Sequence, residues 1–198
     1  MRVIGGIAGG RRLKGPPASV RPTTDMVREA LFDALEARGA DLSRVLDLYA
    51  GSGAMGIEAL SRGADWCDFV ERDAKAAALI RENLLLTGLN ERARVHRMAA
   101  ERAVDRLSGR YSLLLADPPY DEEAAPATLD RIAQSALVDQ GATFVWEHSK
   151  RREAPRELGS LPLTWSRRYG DTQVSIYGEE LVAVGQRSPG PRNQEGAS

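Results

Sequence analysis

The chain has 198 residues, 42% of them apolar and 28% charged, with a net charge of −1 at pH 7. This composition is typical of one ordinary globular domain and excludes collagen-like, low-complexity and highly charged disordered chains. A single cysteine, Cys67, excludes an intrachain disulfide, and no apolar run approaches the ~20 residues of a membrane span or the core of a signal peptide. We therefore expect a cytoplasmic protein.

The amino-terminal segment is basic. Residues 1–28 carry six Lys and Arg side chains against one acid, a net charge of +5 that leaves −6 for the rest of the chain. Glycine pairs at 5–6 and 9–10 predict a β-hairpin over residues 2–14, and prolines at 16, 17 and 22 predict a rigid link. We expect residues 1–22 to form this basic hairpin and linker. A basic arm on an acidic body favours RNA as a partner, and a solvated arm without a partner is the alternative.

The central part of the chain alternates between apolar runs and helical patterns. A first helix should begin near Thr24 or Asp25, because both residue types cap helices. The alternation that follows predicts an α/β fold with a mainly parallel, seven-stranded sheet and helices on both faces. Residues 185–198 have almost nothing to bury, which predicts disorder. The predicted strands are 45–49, 69–71, 95–97, 113–116 and 143–147, with two late strands flanking 169–171.

A glycine turn follows the first predicted strand. Residues 51–56 read Gly-Ser-Gly-Ala-Met-Gly and match the weak dinucleotide pattern G-x-G-x-x-G. Such glycines allow the backbone to approach a ligand, and the helix that follows offers unpaired N–H groups. Glu71 ends the next strand about 20 residues later, where an acid can accept ribose hydroxyls. Together these features predict a cofactor that contains adenosine, either NAD or S-adenosylmethionine.

Asp47 distinguishes between these two cofactors. It lies within the strand just ahead of the glycines, where a carboxylate would repel a pyrophosphate. The sulfonium and ammonium groups of S-adenosylmethionine would be attracted to the same carboxylate. An ordinary hydrogen-bonded acid at a strand end is the alternative interpretation. We favour S-adenosylmethionine.

The most informative motif is the tetrapeptide Asp-Pro-Pro-Tyr at 117–120. It follows the apolar run at 113–116, and the two prolines end that strand because they cannot donate backbone hydrogen bonds. The acid is thereby held at the carboxyl edge of the sheet, where open α/β sheets bind ligands. A carboxylate, a proline carbonyl and an aromatic face suit a planar group bearing an –NH2, such as a nucleobase amine.

These motifs resemble a known group of enzymes. Asp-Pro-Pro-Tyr after the fourth strand and Asp-x-x-x-Gly-x-Gly after the first are similar to the methyltransferases that act on adenine N6, cytosine N4 or guanine N2. Residues 21–32 (Arg-Pro-Thr-Thr-Asp-Met-Val-Arg-Glu-Ala-Leu-Phe) and 168–172 (Arg-Tyr-Gly-Asp-Thr) narrow the resemblance to the RsmD family, which methylates a guanine N2 of bacterial 16S ribosomal RNA. The resemblance extends over about residues 1–180.

The resemblance implies a Rossmann-like class I methyltransferase domain over residues 23–184, and a monomer that acts on 16S RNA in a 30S particle or its assembly intermediate without a metal. One departure is that relatives carry Gly-Asp-Ala where this chain has Met98-Ala99-Ala100, which leaves Glu101, the backbone or water to meet the adenine amine. The implied catalytic residues are Asp117, Pro118, Pro119 and Tyr120. The implied cofactor-binding residues are Asp47, Tyr49, Gly51, Ser52, Gly53, Glu71, Arg72, Ala99, Ala100 and Asp117. The implied RNA-binding residues are Arg11, Arg12, Lys14, Arg21, Thr23, Thr24 and Arg28.

Three other functions compete with this interpretation. A DNA methyltransferase acting on adenine or cytosine would use the same chemistry, but the Arg-Pro-Thr-Thr-Asp segment and the small size, which predicts no extra target-recognition domain, favour RNA. An NAD-dependent oxidoreductase would account for the glycine pattern and leave Asp-Pro-Pro-Tyr unexplained. A non-catalytic ribosome-assembly protein would have no need for an intact Asp117.

Overall fold

The computed structural model describes residues 1–15 and 24–179. It contains eight strands and five α-helices within these residues, together with short 3-10 turns. The strands are β1 (Arg44–Leu48), β2 (Trp66–Glu71), β3 (Ala93–Arg97), β4 (Tyr111–Ala116), β5 (Val138–Ser149), β6 (Glu157–Leu158), β7 (Leu161–Tyr169) and β8 (Thr172–Tyr177). The helices are α1 (Asp25–Ala37), α2 (Ala54–Ser61), α3 (Ala74–Thr87), α4 (Ala103–Arg106) and α5 (Ala125–Ala133).

All eight strands belong to one sheet, in the order β3-β2-β1-β4-β5-β8-β7-β6. The first five strands are parallel, and the last three join them antiparallel. The prediction of a mainly parallel α/β sheet is therefore confirmed. The sheet has eight strands, one more than predicted. The additional strand is β6, which pairs with the start of β7 and, with two residues, is too short to leave a pattern in the sequence.

Helices cover both faces of the sheet, as predicted. One face packs against α1, α2 and α3, and the other against α4 and α5. Strand β4 shows why both faces must be covered, since all six of its residues are buried. A strand buried on both sides reads as a continuous apolar run instead of an alternating one.

The amino-terminal segment belongs to the first of these two cores. Val3, Ala8 and Leu13 are buried there, and a 3-10 turn over Gly6–Ala8 separates the two arms of the segment. The predicted hairpin is reduced to a loop with a single antiparallel bridge, between Arg2 and Arg12. The segment is held down by α2, so it is not a free arm.

Helix α1 begins as predicted, with the Thr24 side chain accepting a hydrogen bond from the backbone N–H of Val27. The predicted linker at 16–22 and the predicted tail at 185–198 both lie outside the described residues. The domain boundaries expected from the sequence therefore stay predictions. None of the helices over 1–15 and 24–179 is long and apolar enough to span a membrane.

Candidate active site

A cavity of about 1160 Å³ opens at the carboxyl ends of β1, β2 and β4. The strand order explains its position. The chain runs outward from β1 to β3 and then returns to place β4 on the other side of β1. Loops that leave neighbouring strands in opposite directions leave a crevice at this reversal, where open α/β sheets bind ligands.

The glycine turn forms the floor of this cavity. Gly51 and Gly53 have φ angles of +55° and +79°, a left-handed conformation that glycine adopts without strain. Gly51 and Ser52 line the cavity, whereas Gly53 lies just behind the lining and caps the start of α2. Gly56 serves packing, because a Cβ atom there would lie 2.4 Å from Cε1 of Phe69.

Glu71 is fixed at the end of β2 by two backbone donors. Its Oε2 accepts from the N–H of Gly51 at 2.8 Å, and its Oε1 accepts from the N–H of Asp73 at 2.7 Å. The side chain is nearly buried but lines the cavity. Since each carboxylate oxygen has a second lone pair, both oxygens can still accept a ligand hydroxyl.

Asp47 is a buried acid of the cavity with a strongly raised pKa. Burial raises the pKa of its carboxyl well above the ordinary value, the N–H of Gly56 opposes this, and the charges of Asp117 and Glu71 raise it further. The hydrogen bond from Gly56 measures 2.9 Å. Asp47 is therefore a hydrogen-bonded acid near the end of its strand, and it also faces the cavity, so its contact with the cofactor stays a prediction.

Tyr49 follows β1 with a φ of +56°, unusual for a residue with a side chain. Burial, followed by the nearby charge of Glu101, raises the pKa of Tyr49 to about 12. Glu101, Met98 and Ala100 line the same part of the cavity. Ala99 lies between Met98 and Ala100 but outside the lining, where it precedes a 3-10 turn, so its role in cofactor binding stays a prediction.

Arg72 lines the cavity as predicted and is held by an ion pair. Its Nη1 lies 3.1 Å from Oε2 of Glu122, in the loop that follows β4. Since β1 lies between β2 and β4, this pair crosses above the end of β1.

The Asp-Pro-Pro-Tyr motif stands at the end of β4, on the opposite wall from Glu71. Asp117 is half-buried and Pro118 buried, and all four residues of the motif line the cavity. Tyr120 is 48% exposed, and its hydroxyl lies 2.6 Å from Oγ1 of Thr172 at the start of β8. The carboxylate and the aromatic face therefore open on the same space.

Comparison with known proteins places the chain in a family. A family model described as "Conserved hypothetical protein 95" matches residues 1–178. A protein of Bacillus subtilis described as "Putative rRNA methyltransferase YlbH" is 41% identical over 89% of this chain and 98% of its own length. "Ribosomal RNA small subunit methyltransferase D" of Escherichia coli K12 is 32% identical over 84% of this chain and 81% of its own. The chain belongs to the RsmD family of methyltransferases.

The fold agrees with this family. The solved structure described as "Putative methyltransferase yhhF from Escherichia coli" superimposes with a TM-score of 0.78 and 29% identity, covering 92% of this chain and 99% of that one. The class I methyltransferase fold expected from the sequence is therefore confirmed.

Three of the RNA-binding residues predicted from the family resemblance have side chains that are buried or bonded within the protein. The prediction that Arg28 contacts RNA is wrong, because its side chain is fully buried. Its Nη2 donates to the Arg2 carbonyl at 2.5 Å and to the Asp25 carboxylate at 2.9 Å. Arg11 donates to the Thr87 carbonyl at 2.7 Å, at the end of α3, and Lys14 pairs with Glu82. These two side chains are therefore engaged in the fold.

The remaining predicted RNA contacts are residues that are exposed, that line the cavity, or that lie outside the described residues. Arg12 is exposed, and Thr24 both caps α1 and lines the cavity. Arg21 and Thr23 are outside the described residues.

The sequence interpretation missed several parts of the cavity wall. Lys75 and Leu79 reach it from α3, Glu147 from the end of β5, and Tyr169 and Thr172 from the β7–β8 hairpin. Of these elements, only the hairpin could have been recognised in the sequence, through the Arg-Tyr-Gly-Asp-Thr motif. The resemblance used this motif without giving its residues a role. Over 1–15 and 24–179, no group of three or more His, Cys, Asp or Glu residues is arranged to hold a metal ion.

Proposed function

We propose that this chain transfers the methyl group of S-adenosylmethionine to the exocyclic N2 amine of a guanine in bacterial 16S ribosomal RNA. The observation that carries the proposal is the position of Asp117 and Pro118 on one wall of the acid-lined cavity whose other wall carries Glu71. The name of the Escherichia coli relative, a methyltransferase of small-subunit ribosomal RNA, supports the substrate class. The choice of guanine N2 rests on the family resemblance.

The charge of the cavity supports a cationic cofactor. Seven acidic side chains line it against two basic ones, Arg72 and Lys75. A sulfonium and an ammonium are attracted to such a surface, whereas the two negative charges of a pyrophosphate are repelled. This charge balance favours S-adenosylmethionine over NAD, which was the other cofactor that fitted the glycine pattern.

The residues around the cavity suit the parts of S-adenosylmethionine. Glu71, oriented by Gly51 and Asp73, would accept the ribose hydroxyls. Asp47 would lie near the cationic part, and Glu101 near Met98 would accept from the adenine amine in place of the acid that relatives carry. When bound, S-adenosylmethionine supplies an electrophilic methyl group.

Asp117 and Pro118 provide the catalytic environment. The exocyclic amine of guanine is a weak nucleophile, because its lone pair is delocalised into the ring. The Asp117 carboxylate and the Pro118 carbonyl can each accept one N–H bond and so direct the nitrogen lone pair toward the methyl. As positive charge develops on the nitrogen, these acceptors stabilise the transition state more than the ground state.

Tyr120 would bind the target base by stacking. Nearly half of its surface is exposed at the cavity mouth, and its hydroxyl is hydrogen-bonded to Thr172, which restrains the position of the ring. The base must leave its own stack to reach the cavity, at a cost of a few kcal/mol. Stacking on an aromatic side chain contributes about 1–3 kcal/mol per base and can offset this cost.

We further propose that the substrate is a 30S particle or an assembly intermediate, and that the protein acts as a cytoplasmic monomer. The test uses labelled S-adenosylmethionine with 30S particles, naked 16S RNA and DNA, followed by nucleoside analysis. The expected product is N2-methylguanosine in 16S RNA. Methylated adenine or cytosine, in RNA or in DNA, would keep the mechanism and overturn the substrate.

Variants at 117 and 120 test the mechanism. We expect Asp117→Ala to abolish methyl transfer while S-adenosylmethionine binding persists, and Asp117→Asn to retain low activity because it keeps one acceptor without the charge. Tyr120→Phe should have a mild effect and Tyr120→Ala a severe one. Wild-type turnover by a folded Asp117→Ala variant would refute the catalytic assignment.

A further inference from the structure

A second basic cluster lies at the tip of the antiparallel part of the sheet, far along the chain from the amino-terminal segment. The turn after β5 meets the β7–β8 turn there, because the N–H of Lys150 donates to the Asp171 carbonyl at 2.9 Å. Two acids, Glu153 and Asp171, belong to the same turns, so the net charge is +3. We call this cluster the basic tip, and its members are Lys150, Arg151, Arg152, Arg167 and Arg168.

The basic tip adjoins the mouth of the active-site cavity. Thr172, at the base of the β7–β8 turn, holds the hydroxyl of Tyr120 at 2.6 Å. Arg152 and Tyr120 line one small cleft behind the Asp-Pro-Pro-Tyr loop. On the other side, the guanidinium carbon of Arg167 is 5.5 Å from the ring centroid of Tyr169, which lines the main cavity.

The side chains of the tip are available to a partner. Arg151, Arg167 and Arg168 are exposed, in contrast to the buried Arg28 of the amino-terminal region. Consecutive strand residues point to opposite faces, so Arg167 and Arg168 place positive charge on both sides of the hairpin. Lys150 is engaged by an acid of the tip, with its Nζ 2.6 Å from Oδ1 of Asp171.

We propose that the basic tip binds phosphates of the RNA strand that flanks the target guanine. This inference rests on the proposed function, and it assigns the main phosphate contacts to the tip and not to the amino-terminal segment. Guanidinium groups match phosphate oxygens with two parallel hydrogen bonds, and they bind the backbone without reading its sequence. Contacts beside Tyr120 would hold the flanking nucleotides while the base enters the cavity.

The test compares two double variants that remove the same charge. Arg151→Gln with Arg168→Gln changes the tip, and Arg94→Gln with Arg106→Gln changes two exposed arginines on β3 and at the end of α4, away from the cavity lining. RNA binding is measured over a range of salt concentrations, and methylation kinetics are measured with RNA and S-adenosylmethionine varied separately. A third variant, Arg151→Lys with Arg168→Lys, keeps the charge of the tip.

We expect the Gln variant of the tip to lower the slope of log affinity against log salt by about 1.4, for two phosphate contacts on a single strand. The KM for RNA should rise several-fold, with kcat at saturating RNA and the affinity for S-adenosylmethionine unchanged. The Lys variant should retain most of the slope, and the variant on β3 and α4 should match the wild type.

Equal salt slopes for the two Gln variants would overturn the inference, as would a loss confined to kcat. Weaker RNA binding by an Arg12→Gln variant, with the tip variant unaffected, would return the phosphate contacts to the amino-terminal segment. The proposed function is judged on the wild type alone. If the wild type methylates RNA while the tip variant matches it, only the inference fails, and if the wild type methylates no RNA, the proposed function fails.

Discussion

The carboxylate of Glu71 accepts a hydrogen bond from the backbone N–H of Gly51 at 2.8 Å, which joins two elements that are 20 residues apart in the chain. The end of β2 therefore sets the position of the glycine turn after β1. The same carboxylate also accepts from Asp73, the residue that caps α3. One side chain thus orients the turn, the start of a helix and the proposed ribose site.

Replacing Glu71 should weaken cofactor binding. Hydrogen bonds to charged groups contribute about 1.5–3 kcal/mol, so we expect Glu71→Ala to lose at least about tenfold in affinity for S-adenosylmethionine in calorimetry. Glu71→Gln should lie between Ala and wild type, since it keeps one oxygen acceptor. Glu91→Ala, at an exposed acid before β3, is the control and should bind like the wild type. Undiminished affinity of a folded Glu71→Ala variant would exclude the ribose assignment.

Cofactor affinity should increase with pH because of Asp47. The raised pKa of this buried carboxyl means that it holds a proton at pH values where an exposed aspartate is ionised. A cationic cofactor favours the carboxylate, so binding must release that proton. We expect affinity to rise with pH, by up to about tenfold per pH unit, and to level off above the raised pKa.

Asp47→Asn should flatten this pH dependence and lower the affinity at high pH. In the free protein the sign for stability is opposite. A raised folded-state pKa stabilises the fold below the unfolded-state pKa, and this contribution is lost as pH rises through the folded-state value. A pH profile of cofactor affinity that is the same for Asp47→Asn and the wild type would contradict this role.

Glu58 should be important for stability. Its fully buried carboxylate accepts from the N–H groups of Ile4 and Gly5 at 2.7 and 2.8 Å and from Nε of Arg62 at 2.9 Å. Removing one partner of a buried charge pair costs about 3–5 kcal/mol, which we expect for Glu58→Ala in urea unfolding. Glu36→Ala removes an exposed acid 3.6 Å from the same Arg62 and should cost less than about 1 kcal/mol. Equal losses would contradict the assignment.

Gly56 should not tolerate a side chain. A Cβ atom there would approach Cε1 of Phe69 to 2.4 Å and Sγ of Cys67 to 2.7 Å, so α2 would have to move away from β2. We expect Gly56→Ala to lower the free energy of unfolding by about 1–3 kcal/mol, as overpacked cores do. Gly15→Ala places its Cβ where no atom of residues 1–15 or 24–179 lies within 4 Å, and it should be close to neutral. Wild-type stability of Gly56→Ala would mean that the two elements are packed less tightly.

The sequence predicted the parallel part of the fold because its strands carry a strong signal. All six residues of β4 are buried, and its apolar run at 113–116 is followed directly by the Asp-Pro-Pro-Tyr motif, so strand, edge and motif could all be recognised together. The antiparallel part was predicted only as two strands around a turn. The two-residue β6 depends on pairing with β7, which no local pattern reveals.

The candidate site was predictable where a residue type has one dominant use at a strand end. Glu71, Asp47 and Asp117 lie on the cavity as expected. The burial of Arg28 was not predictable, because an arginine beside a helix start is usually exposed. The packing of α1 against the amino-terminal segment and α2 buries this side chain. Lys75 and Glu147 approach the cavity through tertiary packing, which sequence spacing does not encode.

The two ends of the sheet differ from its middle in a way that affects solubility. Among the described strands, the sheet ends in β3 on one side and in the two-residue β6 on the other. Arg94 and Arg97 are exposed on β3. Charged side chains and very short strands make poor templates for pairing with a second copy. The buried strand β4 has a neighbouring strand on each side, so its backbone groups are shielded from pairing with a second copy in the folded protein.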